Sequence, residues 1–395
     1  MELKPILKLA ANSMILAGTW PLPLPTKNVA LRKTYAVYCR LIHIFFSIFL
    51  LSLYIQFGLK VNDGNSDENR EGLFSQMSFL ISLLIVGVTI ILYRRKNARL
   101  VIKYIMKADA NIARSKDEDV LRYHSRQIQF CRRLSFGIVS LSVWMGISMF
   151  LETHLQRLEI ENFNKGNNRS IEKPLTFDMY FFNLDRAKYE TTLLCISYVL
   201  LPLNCLLFTS SKIIFFSCII FPASVLKTLQ IRFRKLGVAG SDMLANLKEL
   251  IAEHQQTIWF IQKLNDSVKY LIFLDFLLNS LDIATVSIQL ITLEKNKLAS
   301  PMIFFGLLIV QTFVLGWSAN EIKTQSLALG DSLYESSWYE QSEVVKKMIL
   351  TVLIRMQRPL VLTIGPFDAM TTESALAVCI LFEPDDATQK YSINN

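Results

Sequence analysis

Six stretches of this chain are long, apolar and nearly free of charge. They constrain the fold more than any other feature. Residues 41–59, 72–93, 134–151, 191–211, 270–293 and 301–320 contain no Asp, Glu, Lys or Arg, apart from Asp275 and Asp282 in the fifth. A helix needs roughly 20 such residues to cross the hydrocarbon core of a bilayer. Lipid offers the backbone no hydrogen-bond partner, so only helices and closed barrels can span it. A barrel would show alternating segments of about 10 residues, and no such pattern is present. The expected fold is all-α: a polytopic membrane protein with six firm spans and a seventh that is broken.

Composition agrees with this reading. Hydrophobic residues make up 52% of the 395 and charged residues only 19%, against about 25% charged in soluble domains. The start, "MELKPILKLAANSMILAGTWPLP", has lysines and an apolar patch. Asn12 and Ser13 interrupt that patch and prolines come after it, so a cleaved signal peptide is not expected.

Charges between the apolar blocks set the expected orientation. Lys4, Lys8, Lys27, Arg32 and Lys33 precede the first block against Glu2. Residues 94–133 hold twelve Lys and Arg against four acids, and 224–269 are again basic, with Lys227, Arg232, Arg234 and Lys235. Residues 60–71 and 152–190 have no basic excess. Basic short loops stay in the cytoplasm, so the N-terminus is expected inside and, after seven spans, the C-terminus outside. The chain then divides into four regions: a cytoplasmic N-terminal segment, 1–36; a six-helix transmembrane bundle with cytoplasmic loops, 37–321; a cytoplasmic segment with an amphipathic helix, 322–365; and a short last apolar segment with its tail, 366–395. The inverted topology disfavours a G-protein-coupled receptor. So does the absence of Asp-Arg-Tyr after the third span and of Asn-Pro-x-x-Tyr in the last.

Catalytic patterns are missing. The four histidines, His43, His124, His154 and His254, are scattered. The six cysteines fall in or beside apolar blocks, except Cys131 among basic residues, and read as reduced packing residues. No metal, cofactor or enzymatic activity is expected. Asn168-Arg169-Ser170 is a glycosylation sequon in a segment placed outside.

Three groups of residues could carry function. Asp275, Asn279, Asp282 and Gln289 step by 4, 3 and 7 through the fifth span, which puts them on one helix face. Intramembrane carboxylates are costly; these either line a cavity or bond polar groups on neighbouring helices. Phe74, Met77 and Phe79, then Trp144, Met149 and Phe150, then Phe304 and Phe305, lie toward the predicted outer halves of three spans. They suit an apolar ligand pocket, or equally lipid contact and packing. Third, Val344, Val345, Met348, Ile349, Val352, Leu353 and Met356 repeat with helical period after Ser342, a natural N-cap. Pro359, Gly365 and Pro366 separate this helix from the last apolar segment.

The segment after the sixth span resembles the C-terminal region of insect odorant receptors. The resemblance rests on Tyr334, Glu335, Trp338 and Tyr339, on Gln357, Arg358 and Pro359, and on Gly365, Phe367, Met370, Thr371, Thr372, Glu373 and Ser374. "AGTWP", from Ala17 to Pro21, is similar to a stretch ahead of that family's first span. The resemblance implies a subunit of a ligand-gated cation channel that pairs with a shared co-receptor in hetero-tetramers. It implies small volatile ligands bound in the outer half. It also implies a subunit anchor built from the cytoplasmic span ends, with Tyr334, Trp338, Tyr339, Gln357 and Pro359, in the plasma membrane of sensory neurons. By the same resemblance, 37–321 is the ligand-binding bundle, 322–365 the anchor and 366–395 a short or altered pore helix with its tail. One departure stands out. The family continues past Glu373 as a longer apolar helix, whereas here "SALAVCILF" gives way to Pro384, Asp385 and Asp386. The alternative reading is a secondary transporter, which would show paired broken helices in two repeated halves; only the last helix is broken here.

Overall fold

The computed structural model describes residues 5–24, 26, 28–62, 67–167, 173–177, 179–180, 188–237, 243–292 and 298–380. Ten α-helices form in these residues: α1 (Pro5–Leu16), α2 (Val29–Asn62), α3 (Asp67–Tyr93), α4 (Lys96–Ile112), α5 (Glu118–Asn167), α6 (Glu190–Arg234), α7 (Met243–Thr292), α8 (Ala299–Tyr334), α9 (Glu343–Met356) and α10 (Thr372–Ile380). Among the described residues there is no β-strand. Thr363 and Ala369 form one isolated antiparallel bridge.

Among the described residues six helices are long and apolar enough to cross a membrane: α2, α3, α5, α6, α7 and α8. Each contains one of the six apolar blocks, the fifth as far as Thr292. At about 1.5 Å per residue, the 50 residues of α7 reach ~75 Å, far more than the ~30 Å of a hydrocarbon core. The extra length of α6, α7 and α8 therefore projects beyond the apolar layer at one end, and α5 runs past its apolar block on both sides. Nearly every residue from Thr209 to Leu226 of α6 is buried, so α6 is the central post of the bundle. Phe221, Phe233 and Phe260 fill the core around it.

Two of the segments around this end carry more structure than their charges suggest. Residues 94–133, expected as a basic loop, contain α4. Ala98, Val101, Ile102, Ile105 and Met106 point inward and its lysines outward, which is amphipathic spacing. The N-terminal stretch forms α1, whose Leu7, Ala10, Ala11 and Met14 are buried in the core.

The break in the last helix is built explicitly. Met356 ends α9, and Thr372 begins α10. Between them Gly365 has φ of +60°, a conformation that costs any side chain bearing a Cβ. Its N–H donates to the Lys269 carbonyl of α7 at 2.9 Å, and a Cβ there would sit 3.2 Å from that of Phe273. Asn265 of α7 holds Thr363 from both sides: its Oδ1 accepts from the Thr363 N–H at 2.9 Å, and its Nδ2 donates to the Thr363 hydroxyl at 3.3 Å. Gly316 of α8 lets α10 approach closely; a Cβ on it would lie 2.5 Å from that of Ala375. The polar stretch after Phe382, where the family's helix would continue, lies outside the described residues.

Candidate functional site: a cavity between five helices

At the end of the bundle away from α4 and α9, five helices line a partly open cavity of about 120 Å³. An engineered cavity of about 150 Å³ holds benzene, so this space suits a molecule of roughly one ring. Ser78, Phe79, Ser82 and Leu83 come from α3. Ser142, Met145 and Met149 come from α5, while Leu201, Asn204, Cys205 and Phe208 come from α6. Gln289 of α7 and Ser300, Pro301 and Phe304 of α8 complete the wall with Phe177.

Phe177 belongs to the segment between α5 and α6, and it is pinned there. The Tyr180 N–H donates to the Ser52 carbonyl of α2 at 3.3 Å, and the Ser52 hydroxyl donates back to the Tyr180 carbonyl at 2.8 Å. Arg157 of α5 donates to the Pro174 carbonyl at 2.9 Å. Phe177 then stacks on Phe79, with ring centres 4.9 Å apart, and meets Phe49 edge-on at 5.6 Å. Such aromatic pairs add about 0.5–1.5 kcal/mol beyond burial.

One wall is polar. It lies where α3 and α7 touch. The Ser82 hydroxyl donates to Asp282 Oδ2 at 3.1 Å. Ser78 Oγ and Thr285 Oγ1 are 2.6 Å apart, and Gln289 Nε2 donates to Ser78 at 3.4 Å. Asp282 is wholly buried behind this wall, and its Oδ1 has no partner. Further down α7, Lys212 of α6 pairs with Asp275 Oδ1 at 2.6 Å, with both side chains 4% exposed. Asn279 Nδ2 donates to Asp275 Oδ2 at 3.1 Å. A buried pair of this kind needs additional hydrogen bonds to offset desolvation, and Asn279 supplies one. On the α5–α6 side, Asn204 Nδ2 and Ser142 Oγ are buried and unpartnered.

The residues expected to line a ligand pocket divide by helix phase. Met149 and Phe304 line the cavity, as does Phe79. Trp144 does not: it is 63% exposed and faces outward, because the inward face of α5 carries Ser142, Met145 and Met149. Phe150 is also exposed; it stacks on His154 and meets the Tyr198 ring at a tilt instead. Met77 and Phe305 are half-buried and outside the lining, Phe305 packing beside Ile283 and Val286. The side chain of Phe74 and the sequon at Asn168 lie outside the described residues. Asp275, Asn279 and Asp282 do share one buried face. Sequence reasoning missed Asn204 and Ser142, although a polar residue inside an apolar span is itself a signal.

At the opposite end, α9 packs on α8 through Val345, Ile349, Val352 and Met356. Ser342 stands at the N-cap with extended backbone, but its hydroxyl makes no capping bond. Val344, expected on the packed face, is exposed together with Leu350 and Ile354. The apolar stripe of α9 is therefore wider than one partner helix can cover. Tyr334, Tyr339, Gln357 and Pro359 are likewise exposed, while Trp338 is half-buried and donates its indole N–H to the Tyr334 carbonyl at 3.2 Å. Away from the apolar layer, Lys235 bridges Asp117 at 2.6 Å and Asp119 at 2.7 Å. Partial burial is the largest single influence on Asp117 and opposes its ionisation, but the N–H groups of Asp119 and Val120 and the hydrogen bond and charge of Lys235 together outweigh it and hold the carboxyl below its usual range. The bridges to Asp117 and Asp119 raise the Lys235 ammonium.

Six apolar crossing helices, five of them around a mostly apolar cavity, define a multi-pass membrane protein. The chain belongs to the 7tm odorant receptor family, whose model matches residues 72–378. That family consists of receptors rather than enzymes. Odorant receptor Or2 of Anopheles gambiae is 33% identical over 141 residues, covering 35% of this chain and 36% of that protein. Odorant receptor 10 of Aedes albopictus is 28% identical over 176 residues, covering 43% and 47%. The matched stretches thus span between about a third and a half of those relatives. The fold is similar to that of the insect olfactory receptor OR5 from Machilis hrabei, with a TM-score of 0.73, 16% identity and 95% of both chains covered. The same receptor in complex with eugenol gives a TM-score of 0.74, with the same identity and coverage.

Proposed function

We propose that this chain is the ligand-binding subunit of a heteromeric cation channel opened by small, largely apolar volatile molecules. The observation that carries the reading is the cavity: apolar over most of its wall, one ring in size, and furnished with a few buried polar groups. Such a site orients a small ligand and excludes water from it. The similarity in fold to a receptor solved in complex with eugenol supports the same ligand class.

Three further features support the channel architecture. The basic charge around α4 favours a cytoplasmic side for that end of the bundle, with the N-terminus and α9. The uncovered stripe of Val344, Leu350 and Ile354, with Tyr334 and Tyr339 beside it, suits a contact with neighbouring subunits, including an odorant co-receptor in a tetramer. The same α7 that ends at the cavity holds the break before α10, so a ligand favouring one arrangement of α7 shifts the state of the last helix. The protein acts in the plasma membrane of sensory neurons.

The test is co-expression with an odorant co-receptor and recording of currents over a panel of one-ring and short-chain odorants. Met149→Ala and Phe304→Ala reorder the panel, whereas Trp144→Ala leaves the order unchanged. Absence of current despite surface expression refutes the channel reading. A reordering by Trp144→Ala alone refutes the placement of the ligand.

A further inference from the structure

The polar wall of the cavity has a direction, and its hydrogen bonds reveal it. The Thr285 hydroxyl donates to the Asp282 carbonyl at 2.9 Å. A threonine hydroxyl has a single proton. With the Thr285 proton on that carbonyl, the 2.6 Å contact between Thr285 Oγ1 and Ser78 Oγ uses the proton of Ser78. Gln289 donates onto Ser78 from the other side. The proton of Ser82 goes to Asp282 Oδ2. Both serine protons are therefore committed to α7, and what Ser78 and Ser82 can turn to the cavity is lone pairs. The α5–α6 side offers the reverse. Asn204 Nδ2 and Ser142 Oγ are buried there with protons and no acceptor.

We propose that this cavity selects molecules bearing a hydroxyl group, alcohols and phenols, over aldehydes, ketones and ethers of the same shape. A hydroxyl donates to the serine wall and accepts from Asn204 or Ser142. A carbonyl or ether oxygen only accepts, so it forgoes the bond to Ser82, whose lone pairs then have no donor, and gains only the bond from Asn204 or Ser142. Leaving a buried group unpaired costs more than a hydrogen bond gains, and sites built around a substrate hydroxyl discriminate accordingly. Asp282 is a positioning residue: it does not line the cavity, but it fixes where the Ser82 proton points. The inference rests on the ligand-binding reading above and names the ligand class.

The test uses the full-length chain purified with its co-receptor, and three probes of nearly equal shape: benzyl alcohol, benzaldehyde and toluene. Binding is measured from the ligand-dependent rise in melting midpoint over a concentration series. Benzyl alcohol binds about tenfold tighter than benzaldehyde, on the scale of one hydrogen bond made or lost. Ser82→Ala narrows that ratio several-fold and leaves toluene within about twofold. Asp282→Asn keeps an acceptor for Ser82 and keeps the preference, whereas Asp282→Leu frees the Ser82 proton and shifts the ratio toward benzaldehyde. Equal binding of alcohol and aldehyde, or an unchanged ratio in Ser82→Ala, overturns this inference alone. Failure of all three probes to bind overturns the proposed function with it. Selective binding of the alcohol without current supports the inference and refutes only the channel reading.

Discussion

Replacing Lys212 with methionine removes the cation from a buried pair and leaves the Asp275 carboxylate behind. The geometry sets the expected cost. Lys212 Nζ lies 2.6 Å from Asp275 Oδ1, and each side chain is 4% exposed. Breaking such a pair from one side costs about 3–5 kcal/mol. Asn279 still donates to the carboxylate at 3.1 Å, which places the loss near the lower figure, about 3 kcal/mol. At about 2 cal/mol/K per residue over 395 residues, that lowers the melting midpoint by about 4 °C. The double replacement Lys212→Met with Asp275→Asn removes both charges and keeps an acceptor for Asn279, so it recovers most of the loss. The assay is the midpoint of the detergent-solubilised protein by fluorescence-detected size exclusion, with surface labelling in cells as a second measure. A single replacement within about 1 °C of wild type, or a double replacement as damaged as the single, refutes the reasoning.

The geometry sets four other outcomes. Gly365→Ala destabilises the break before α10 by about 1–2 kcal/mol from its left-handed backbone alone, and more from the Phe273 contact; a melting curve identical to wild type contradicts this. Gly316→Ala forces α10 away from α8 and lowers current at equal surface expression, and Ala375→Gly in the same chain restores part of it, since the Thr371 carbonyl still lies 3.0 Å from the new Cβ; no rescue means that the contact with Ala375 is unimportant. Ile354→Asp leaves the midpoint of the isolated chain unchanged but reduces co-purification with the co-receptor, since its side chain is 65% exposed; undiminished co-purification excludes this stripe as a contact. Lys235→Ala costs less than about 1 kcal/mol, because the bridge is partly exposed. That cost is the same at pH 6 and pH 8. The lowered Asp117 carboxyl loses its contribution only as pH falls through its folded pKa, below the ordinary 3.8, and the raised Lys235 only as pH rises through its own, above 10.5. A cost that changes between those two pH values contradicts the assignment.

The apolar blocks were legible because lipid demands them, and all six lie in crossing helices. Where those helices end was not. The block at 270–293 marks less than half of α7, whose earlier turns are charged on one face and packed on the other. Helix α4 was hidden for a related reason. Its spacing from Ala98 to Met106 is regular, but counting the lysines and arginines around it made the segment look like a loop. The polar face of α7 was legible from its steps of 3, 4 and 7 among apolar neighbours. The apolar part of the cavity was not, because a uniformly apolar span has no periodicity to separate the inward Met145 and Met149 from the outward Trp144. Ser142 and Asn204 break that uniformity and mark the inward face. Phe177 carries no such signal: its place is set by bonds from Tyr180 to Ser52, 128 positions away.

Helix α7 runs without interruption from Asn265, which grips Thr363, to Gln289, which lines the cavity. Those 24 positions span ~36 Å of straight helix. A rod of that length is a lever. Tilting it by ~5° about its Gln289 end sweeps the Asn265 end through ~3 Å, about the length of the hydrogen bonds by which it holds Thr363. A molecule too small to touch the last helix can thus displace it by the width of a bond, provided that α7 stays rigid in between.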